Sequence, residues 1–105
     1  MTDKRVVLTT AGSKEEAQKI ARALVERRLA ACVNVVGPIE SVYRWKGAVE
    51  TAEEFLCVIK TTAAAVERVR AAIKELHSYE LPECVELAVE DGSAEYLAWI
   101  GENVG

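Results

Sequence analysis

The sequence contains too few residues of several kinds to build the sites that depend on them. Its three cysteines, Cys32, Cys57 and Cys84, include no Cys-x-x-Cys pair, so neither a disulfide framework nor a zinc knuckle is expected. We expect these thiols to be buried and reduced. With a single histidine, no glycine-rich phosphate loop and no nucleophile motif, the chain shows no catalytic apparatus, and we expect no enzymatic activity.

Positive charge is also scarce. Thirteen Lys and Arg against 17 Asp and Glu give a net charge of -4, the wrong sign for a domain that follows a phosphate backbone. Residues 6–10, the first predicted strand, contain no aromatic side chain on which a base could stack. The short apolar run at residues 6–8 is too short for a signal-peptide core or a membrane span. Neither a nucleic acid nor a membrane is an expected partner, and the expected compartment is the cytoplasm.

The length and the remaining composition favour one small domain over residues 1–105. Half of the residues are hydrophobic but only 6% are aromatic, so many core positions are filled by small side chains. A chain of this size buries a modest core on its own. The composition therefore leaves room for an oligomer.

Hydrophobic periodicity predicts the element order βαββαβ followed by a short helix. The first strand leads into a helix that Ser13 opens, with Glu16 as its capping-box partner, and that ends near residues 27–28. Two long strands follow, residues 30–45 and 48–61, joined by a turn at Lys46-Gly47 and interrupted by a bulge at Gly37-Pro38.

The second half of the chain repeats the pattern. Thr62 is expected to cap a helix that reaches residue 79, residues 84–90 form the last strand, and Ser93 is expected to cap the terminal helix. This order predicts an α+β, ferredoxin-like βαββαβ sandwich, an antiparallel sheet with both main helices on one face. Each hairpin arm, at about 3.3 Å per residue, is about 50 Å long, so its tip must project beyond the core. We expect the arm to pack on another copy in a closed homo-oligomer.

Five segments, in order and in spacing, resemble the CutA family of divalent-cation tolerance proteins. They are LAACVN at residues 29–34, SVYRWKG at 41–47, KTT at 60–62, LHSYELPE at 76–83 and YLAWI at 96–100. The resemblance covers nearly the whole chain. It implies a ferredoxin-like protomer, a homotrimer built around the long hairpins, a cytoplasmic setting, and tolerance of copper and other divalent cations without enzymatic chemistry.

The resemblance also implies where a metal would bind. Some members use a cysteine in the first strand and two adjacent histidines after the second helix, but here Thr9 and Leu76 stand at two of those positions and only His77 remains. Glu80 and Glu83 are candidates for additional oxygen ligands. Copper(II) or another divalent cation is thus the expected ligand. We expect it to bind more weakly than in the members that have all three residues, or through a different set of ligand residues. Alternatively, His77 simply bonds a last-turn carbonyl or interacts with the helix dipole.

Three further residues are candidates for a cleft or an interface between subunits. Tyr43 and Trp45 on the projecting arm suit a subunit interface or the wall of a ligand pocket. Lys60 either pairs with a neighbour's carboxylate, such as Glu50, or faces an anion in an intersubunit cleft. The family resembles the trimeric PII signalling proteins in architecture, so the alternative function is a regulatory trimer that binds a small anionic ligand or a partner protein there.

Overall fold

The computed structural model describes all 105 residues. Its elements are β1 (Lys4–Ala11), α1 (Lys14–Glu26), β2 (Cys32–Trp45), β3 (Ala48–Thr62), a 3-10 turn (Ala63–Ala65), α2 (Val66–Leu76), β4 (Val85–Ala88) and α3 (Ala94–Glu102). The strands form one antiparallel sheet in the order β2-β3-β1-β4. The α+β, ferredoxin-like prediction is confirmed, with its long central hairpin and short terminal helix.

One face of the sheet, here called the covered face, packs against α1 and α2. Its central side chains are completely buried: Val7, Thr9, Ala11, Cys57, Ile59 and Thr61. The helices contribute the apolar stripes that their sequence periodicity predicts, with Ile20 and Leu24 from α1 and Val69 and Ile73 from α2. The core therefore lies between these two helices and a single face of the sheet.

The opposite face, here called the open face, is also largely apolar, but neither α1 nor α2 packs on it. Alternation along the strands places on it Val6, Leu8, Thr10, Val36, Leu56, Val58, Val85 and Leu87. Val36 at the β2 edge and Val85 and Leu87 at the β4 edge remain 45–47% exposed. Apolar side chains that extend across a sheet face and stay partly exposed are typical of a surface that another molecule covers.

The hairpin of β2 and β3 projects as predicted, and the molecule measures 44 × 25 × 22 Å. At its tip Lys46 and Gly47 both have positive φ, 50° and 84°, as a two-residue type I′ turn requires. The predicted bulge is present, because Gly37 and Pro38 together oppose only Phe55. A Cβ atom on Gly37 would lie 2.5 Å from Cδ2 of Phe55, so the close approach of the ring requires glycine.

Helix α1 begins and ends with side-chain and backbone caps. Ser13 Oγ accepts a hydrogen bond from the Glu16 backbone N–H at 3.1 Å, which confirms the predicted N-cap. Beyond its end, Arg28 takes a left-handed conformation with φ of 59°, and Leu29 N–H bonds Leu24 O at 2.9 Å in a Schellman arrangement. The Arg28 guanidinium donates to the backbone carbonyls of Glu102 and Gly105, both at 2.8 Å, and so ties the end of α3 to α1.

Several predicted boundaries were wrong. Helix α2 ends at Leu76 rather than at residue 79, because His77 takes an extended conformation in which its ring donates a hydrogen bond to Thr10 O of β1. Thr62 makes no side-chain cap, since a 3-10 turn precedes α2, and Ser93 precedes α3 but its side chain makes no capping hydrogen bond either. Strand β4 covers only Val85–Ala88, the length over which it pairs with β1. All three cysteines are free, as expected, but only Cys57 is buried, and Cys32 and Cys84 are partly exposed. None of the helices has the length and apolarity needed to cross a membrane.

Candidate functional site

A cleft lies on the open face, where the projecting arm meets the segment that follows α2. Its volume is about 580 Å³. It is lined by Thr10, Ser41, Val42, Tyr43, Trp45, Glu50, Glu54, Tyr79, Glu80, Leu81 and Glu83. No lysine, arginine or histidine is among these residues. The cleft is thus acidic, with aromatic side chains on its walls.

The register of the hairpin builds one wall of the cleft. Tyr43 lies opposite Glu50, and Glu54 follows four residues along the same strand and therefore on the same side. Thr10 pairs with Leu56, two residues beyond Glu54, so it also faces the open side. Strand pairing alone therefore brings two carboxylates, an aromatic ring and a hydroxyl onto one surface.

The segment after α2, residues 77–83, supplies the other wall and is held in place through His77. The His77 Nδ1 atom accepts a hydrogen bond from Tyr79 N–H at 3.0 Å, so the ring proton is on Nε2. His77 Nε2 donates this proton to Thr10 O at 2.6 Å. The ring is 9% exposed. His77 therefore bonds a carbonyl of β1 rather than of its own helix, and neither ring nitrogen is free for another partner.

A second contact fixes the same segment from α1. Glu16 Oε2 accepts from the Ser78 backbone N–H at 2.9 Å, instead of returning to Ser13 as a capping box would require. Burial disfavours the ionised form of Glu16, but the hydrogen bonds from Ser78 outweigh it and hold the pKa of this carboxyl below its usual value. Glu16 and His77 together fix the path of the chain at the edge of the cleft.

Tyr79 connects the two walls. Its hydroxyl donates to Glu54 Oε2 at 2.8 Å. Burial, together with the adjacent Glu54 carboxylate, raises the pKa of the Tyr79 hydroxyl, so it remains a donor throughout the physiological range. Glu54 is only 8% exposed, and none of the four ion pairs of the chain includes it. It is a buried carboxylate without a positively charged partner.

The residues predicted from the sequence fall in different places. The cleft is lined by Glu80, Glu83, Tyr43 and Trp45. His77 is not among the lining residues and instead bonds the backbone of Thr10. Lys60 is remote from it, since it pairs with Cys32 at the other end of the hairpin and donates to Asn34. Three or more His, Cys, Asp or Glu side chains do not come together anywhere as a metal-ligand group.

Glu54, Tyr79 and Thr10 were missed as site residues. The hairpin symmetry about Lys46-Gly47 contained the signal for Glu54, because it places this carboxylate on the same side as Glu50. Thr9, which stands where some relatives have a metal-binding cysteine, is on the covered face and completely buried. Its Oγ1 atom has no hydrogen-bond partner.

Fold and site together define a ferredoxin-like domain with an acidic, aromatic-walled cleft on its open sheet face. The profile of the CutA1 divalent ion tolerance protein family matches residues 5–103. The divalent-cation tolerance protein CutA of Thermus thermophilus is 49% identical over 100 residues, which are 95% of this chain and 97% of that protein. The chain therefore belongs to the CutA family of divalent-cation tolerance proteins.

Solved structures agree with this assignment. A divalent cation tolerance protein from T. thermophilus has a TM-score of 0.95 at 48% identity, covering 97% of this chain and 99% of that one. CutA from Xylella fastidiosa has a TM-score of 0.96 at 38% identity, covering 99% and 100%. CutA from Archaeoglobus fulgidus, described as periplasmic, has a TM-score of 0.94 at 41% identity, covering 97% and 99%. The names of the T. thermophilus and A. fulgidus proteins describe divalent cation tolerance, and none of the three names an enzymatic activity.

Proposed function

We propose that this chain is a homotrimeric protein of the cytoplasm that contributes to tolerance of copper and other divalent cations by binding them, without catalysis. The observation that carries the proposal is the acidic cleft, whose lining includes Glu50, Glu54, Glu80 and Glu83 and no basic residue. Carboxylate oxygens bind divalent cations, and a negative cleft raises the local cation concentration.

Two surfaces support the assembly. Val42 and Val49 on the projecting arm are each 65% exposed, and Val85 and Leu87 on the open face are each 47% exposed. A two-stranded ribbon is marginally stable alone in water, so an arm of this length gains stability from a neighbour. A closed trimer would bury both surfaces. Sedimentation equilibrium should give three times the protomer mass of 11.5 kDa, and a monomer at micromolar concentration would contradict the proposal.

The metal ligands that we propose are Glu80 and Glu83, which reach the cleft directly, with His77 behind them. His77 would have to release Tyr79 N–H or Thr10 O before it could bind a cation. A metal site with only two carboxylate ligands from the protein binds weakly, so we expect a modest affinity for divalent cations.

Calorimetry with copper(II) tests these roles. We expect the Glu80→Gln/Glu83→Gln double variant to bind about tenfold more weakly than wild type, while Glu26→Gln/Glu95→Gln, on exposed helical positions, binds as wild type. His77→Ala should also weaken binding. His77→Ala also disturbs the cleft wall formed by residues 77–83, so Tyr79→Phe is its control. Tyr79→Phe disturbs the same wall but removes none of the proposed metal ligands. Equal heats in wild type and in all of these variants would remove the three residues from a metal site.

A second candidate function is that of a PII-like regulatory trimer whose state depends on a small ligand. The cleft favours it, because 580 Å³ between Tyr43, Trp45 and Tyr79 is space of the size that small ligands occupy. A thermal-shift screen of metabolites and nucleotides tests it. A rise in melting temperature that Trp45→Leu abolishes would support this function, and no response across a broad panel would oppose it.

The cytoplasmic setting is also a proposal. The relative from A. fulgidus is described as periplasmic, so compartment varies with the protein. Cell fractionation of the native host, with the chain detected by antibody, tests the assignment. Recovery in the periplasmic fraction would overturn it.

A further inference from the structure

We propose that Asp91 is a site of spontaneous covalent modification, at which the aspartyl bond to Gly92 isomerises through a cyclic succinimide to an isoaspartyl bond. Both residues are exposed, and they lie in the connection between β4 and α3, outside every helix and strand. The reaction needs neither a metal ion nor a ligand in the cleft, so it is independent of the functions proposed above.

The chemistry involves only the side chain of one residue and the backbone nitrogen of the next. The Gly92 nitrogen attacks Cγ of the neutral Asp91 carboxyl, an N–Cγ bond forms, and the Cγ–OH bond breaks. The amide proton and this hydroxyl leave together as water. Water then reopens the ring, either at Cγ, which restores aspartate, or at the Asp91 backbone carbonyl carbon, which leaves the main chain running through Cγ. No reactant other than water takes part.

The side chain of Asp91 is already folded back over the attacking nitrogen. Asp91 Oδ1 accepts a hydrogen bond from the Gly92 N–H at 2.8 Å, so the carboxyl group lies beside the atom that attacks it. The Gly92 N–H makes no bond to a backbone carbonyl that would hold it elsewhere. Groups that are held close together react faster than groups that must first meet. The fold therefore keeps Asp91 near the geometry of ring closure.

Glycine is the residue that obstructs this attack least. It has no Cβ atom beside the attacking nitrogen, and its backbone reaches conformations that other residues avoid. A Cβ atom on Gly92 would lie 3.3 Å from Leu97 Cδ2, the end of a flexible side chain, so alanine fits there after a small movement of Leu97. Gly92→Ala therefore tests the reaction without preventing folding.

Asp3, the only other aspartate, is held differently. Its Oδ1 accepts a hydrogen bond from Lys4 Nζ at 2.5 Å. The backbone N–H of Lys4, whose nitrogen would have to attack, donates to Thr2 Oγ1 at 3.0 Å. The carboxyl and the following nitrogen are thus engaged with other partners, and we expect Asp3 to stay unmodified.

The two asparagines, which can form the same ring with loss of ammonia, are also restrained. Asn34 lies within β2, and its Oδ1 accepts a hydrogen bond from Lys60. Asn103 Nδ2 donates to Trp99 O at 2.9 Å. Valine follows both asparagines, and its branched side chain crowds the attacking nitrogen. Modification is therefore expected at Asp91 alone.

The isoaspartyl bond changes the connection to α3. It adds one methylene group to the main chain and leaves the former backbone carboxyl as an exposed side group. The far end of α3 stays attached, because the Arg28 guanidinium donates to Glu102 O and Gly105 O. The change should therefore loosen the beginning of the helix, where Leu97 N–H donates to Ser93 O. The exposed carboxyl is the group that an isoaspartyl carboxyl methyltransferase recognises.

Timed incubation of the full-length protein at physiological pH and temperature tests the proposal, with residues 86–96 as a free reference peptide. After trypsin digestion, an isoaspartyl carboxyl methyltransferase with a labelled methyl donor measures isoaspartyl groups, and fragmentation of peptide 75–105 locates them. We expect the signal to grow at Asp91, at a rate within about tenfold of that in the free peptide. Asp91→Glu should abolish it, because the longer side chain closes only a larger ring. Gly92→Ala should slow it by about tenfold.

Asp3→Glu is the matched control, because it makes the same change at the other aspartate, and it should leave the signal unchanged. In the modified protein, the Leu97 amide should exchange faster than before incubation, while the Asn103 amide, at the far end of α3, should not. A folded protein that isomerises more than about tenfold more slowly than the free peptide would overturn the proposal, because the fold would then protect Asp91. A signal that persists in Asp91→Glu, or disappears in Asp3→Glu, would also overturn it.

Discussion

The two faces of this sheet are made from similar apolar residues but have different surroundings. Val7 and Ile59 on the covered face are completely buried beneath the chain's own helices, whereas Val85 and Leu87 on the open face are each 47% exposed. Helices α1 and α2 cover one face, and α3 contacts β1 and β3 without covering Val85 or Leu87. The covered face therefore stabilises the protomer, and the open face, with its acidic cleft, is left for other molecules.

The polar groups also differ between the faces. On the covered face, Thr61 Oγ1 donates to Leu29 O at 2.6 Å, whereas Thr9 Oγ1 is the one buried side-chain polar atom without a hydrogen-bond partner. On the open face, Glu54 is 8% exposed and its Oε2 accepts a hydrogen bond from the Tyr79 hydroxyl at 2.8 Å. Neither Glu54 nor Thr10 has a fully buried side-chain polar atom without a partner, because the cleft leaves their free atoms open to water.

The largest expected effect comes from truncating one residue on each face. Ile59→Ala should lower the free energy of unfolding by about 2–5 kcal/mol, because it leaves a cavity in a fully buried site. Leu87→Ala should lower it by less than about 1 kcal/mol in the dissociated protomer, because about half of its side chain is already exposed. Urea unfolding at low protein concentration measures both.

The two variants should also differ in assembly. Leu87→Ala should shift the equilibrium from trimer towards protomer in sedimentation velocity, whereas Ile59→Ala, in conditions where it is folded, should not. A loss of stability of the same size in both variants, with no change in assembly, would show that the open face is not an interface.

The second effect concerns the bulge that separates the core half of the hairpin from its projecting arm. Gly37→Ala should lower the free energy of unfolding by about 1–3 kcal/mol, because the new Cβ atom would lie 2.5 Å from the Phe55 ring. Val42→Ala, on the 65% exposed part of the arm, is the control and, at a protein concentration at which the protomer is dissociated, should change it by only a few tenths of a kcal/mol. Thermal unfolding compares them, and equal stability of both variants would mean that the Phe55 ring moves without cost.

The sequence alone predicted the parts of the molecule that depend on local periodicity. The element order, the Ser13 cap, the turn at Lys46-Gly47 and the bulge all follow from residues close together in the chain. The bulge then shifts the register by one residue, so that Cys57 pairs with Val35 rather than lying nearest Val36, as a symmetric hairpin predicts. The size of that shift depends on how Phe55 packs, which periodicity does not reveal.

The cleft was predicted only in part, for a related reason. Tyr43 and Trp45 were recognised from the strand pattern, but residues 77–83 have no periodicity and their path depends on distant partners. His77 reaches Thr10, 67 residues away in sequence, and Tyr79 reaches Glu54, 25 residues away. Lys60 lies at the other end of the hairpin within the protomer, and its expected place in a cleft between subunits stays a prediction.

The third effect has opposite signs at two completely buried threonines of the covered face. Thr9→Val should raise the free energy of unfolding by about 1 kcal/mol, because it removes a completely buried hydroxyl that has no partner. Thr61→Val should lower it by about 1–3 kcal/mol, because the Leu29 carbonyl then loses its hydrogen bond from Thr61. Both residues are completely buried, so each is the control for the other in urea titrations. Destabilisation by Thr9→Val would imply that its hydroxyl is satisfied in solution.

The smallest effect is a pH dependence at the edge between the two faces. Hydrogen bonds from Ser78 lower the pKa of Glu16 in the folded state, so its contribution to stability is complete above the ordinary pKa of 4.5 and is lost as the pH falls through the lower folded value. Solvent screens this group, and we expect a contribution of a few tenths of a kcal/mol.

Glu16→Gln should therefore be slightly less stable than wild type at neutral pH, with the difference shrinking below pH 4.5 as wild-type Glu16 becomes protonated. Urea midpoints at several pH values measure this difference, and Glu15→Gln, in the same helical turn but exposed and without this bond, is the control. Because Ser78 begins the wall of the cleft, its amide should exchange faster in Glu16→Gln than in the control. Identical pH profiles and exchange rates in the two variants would show that the Glu16 carboxylate does not hold the wall, which would leave His77 as its only anchor before Tyr79 reaches Glu54.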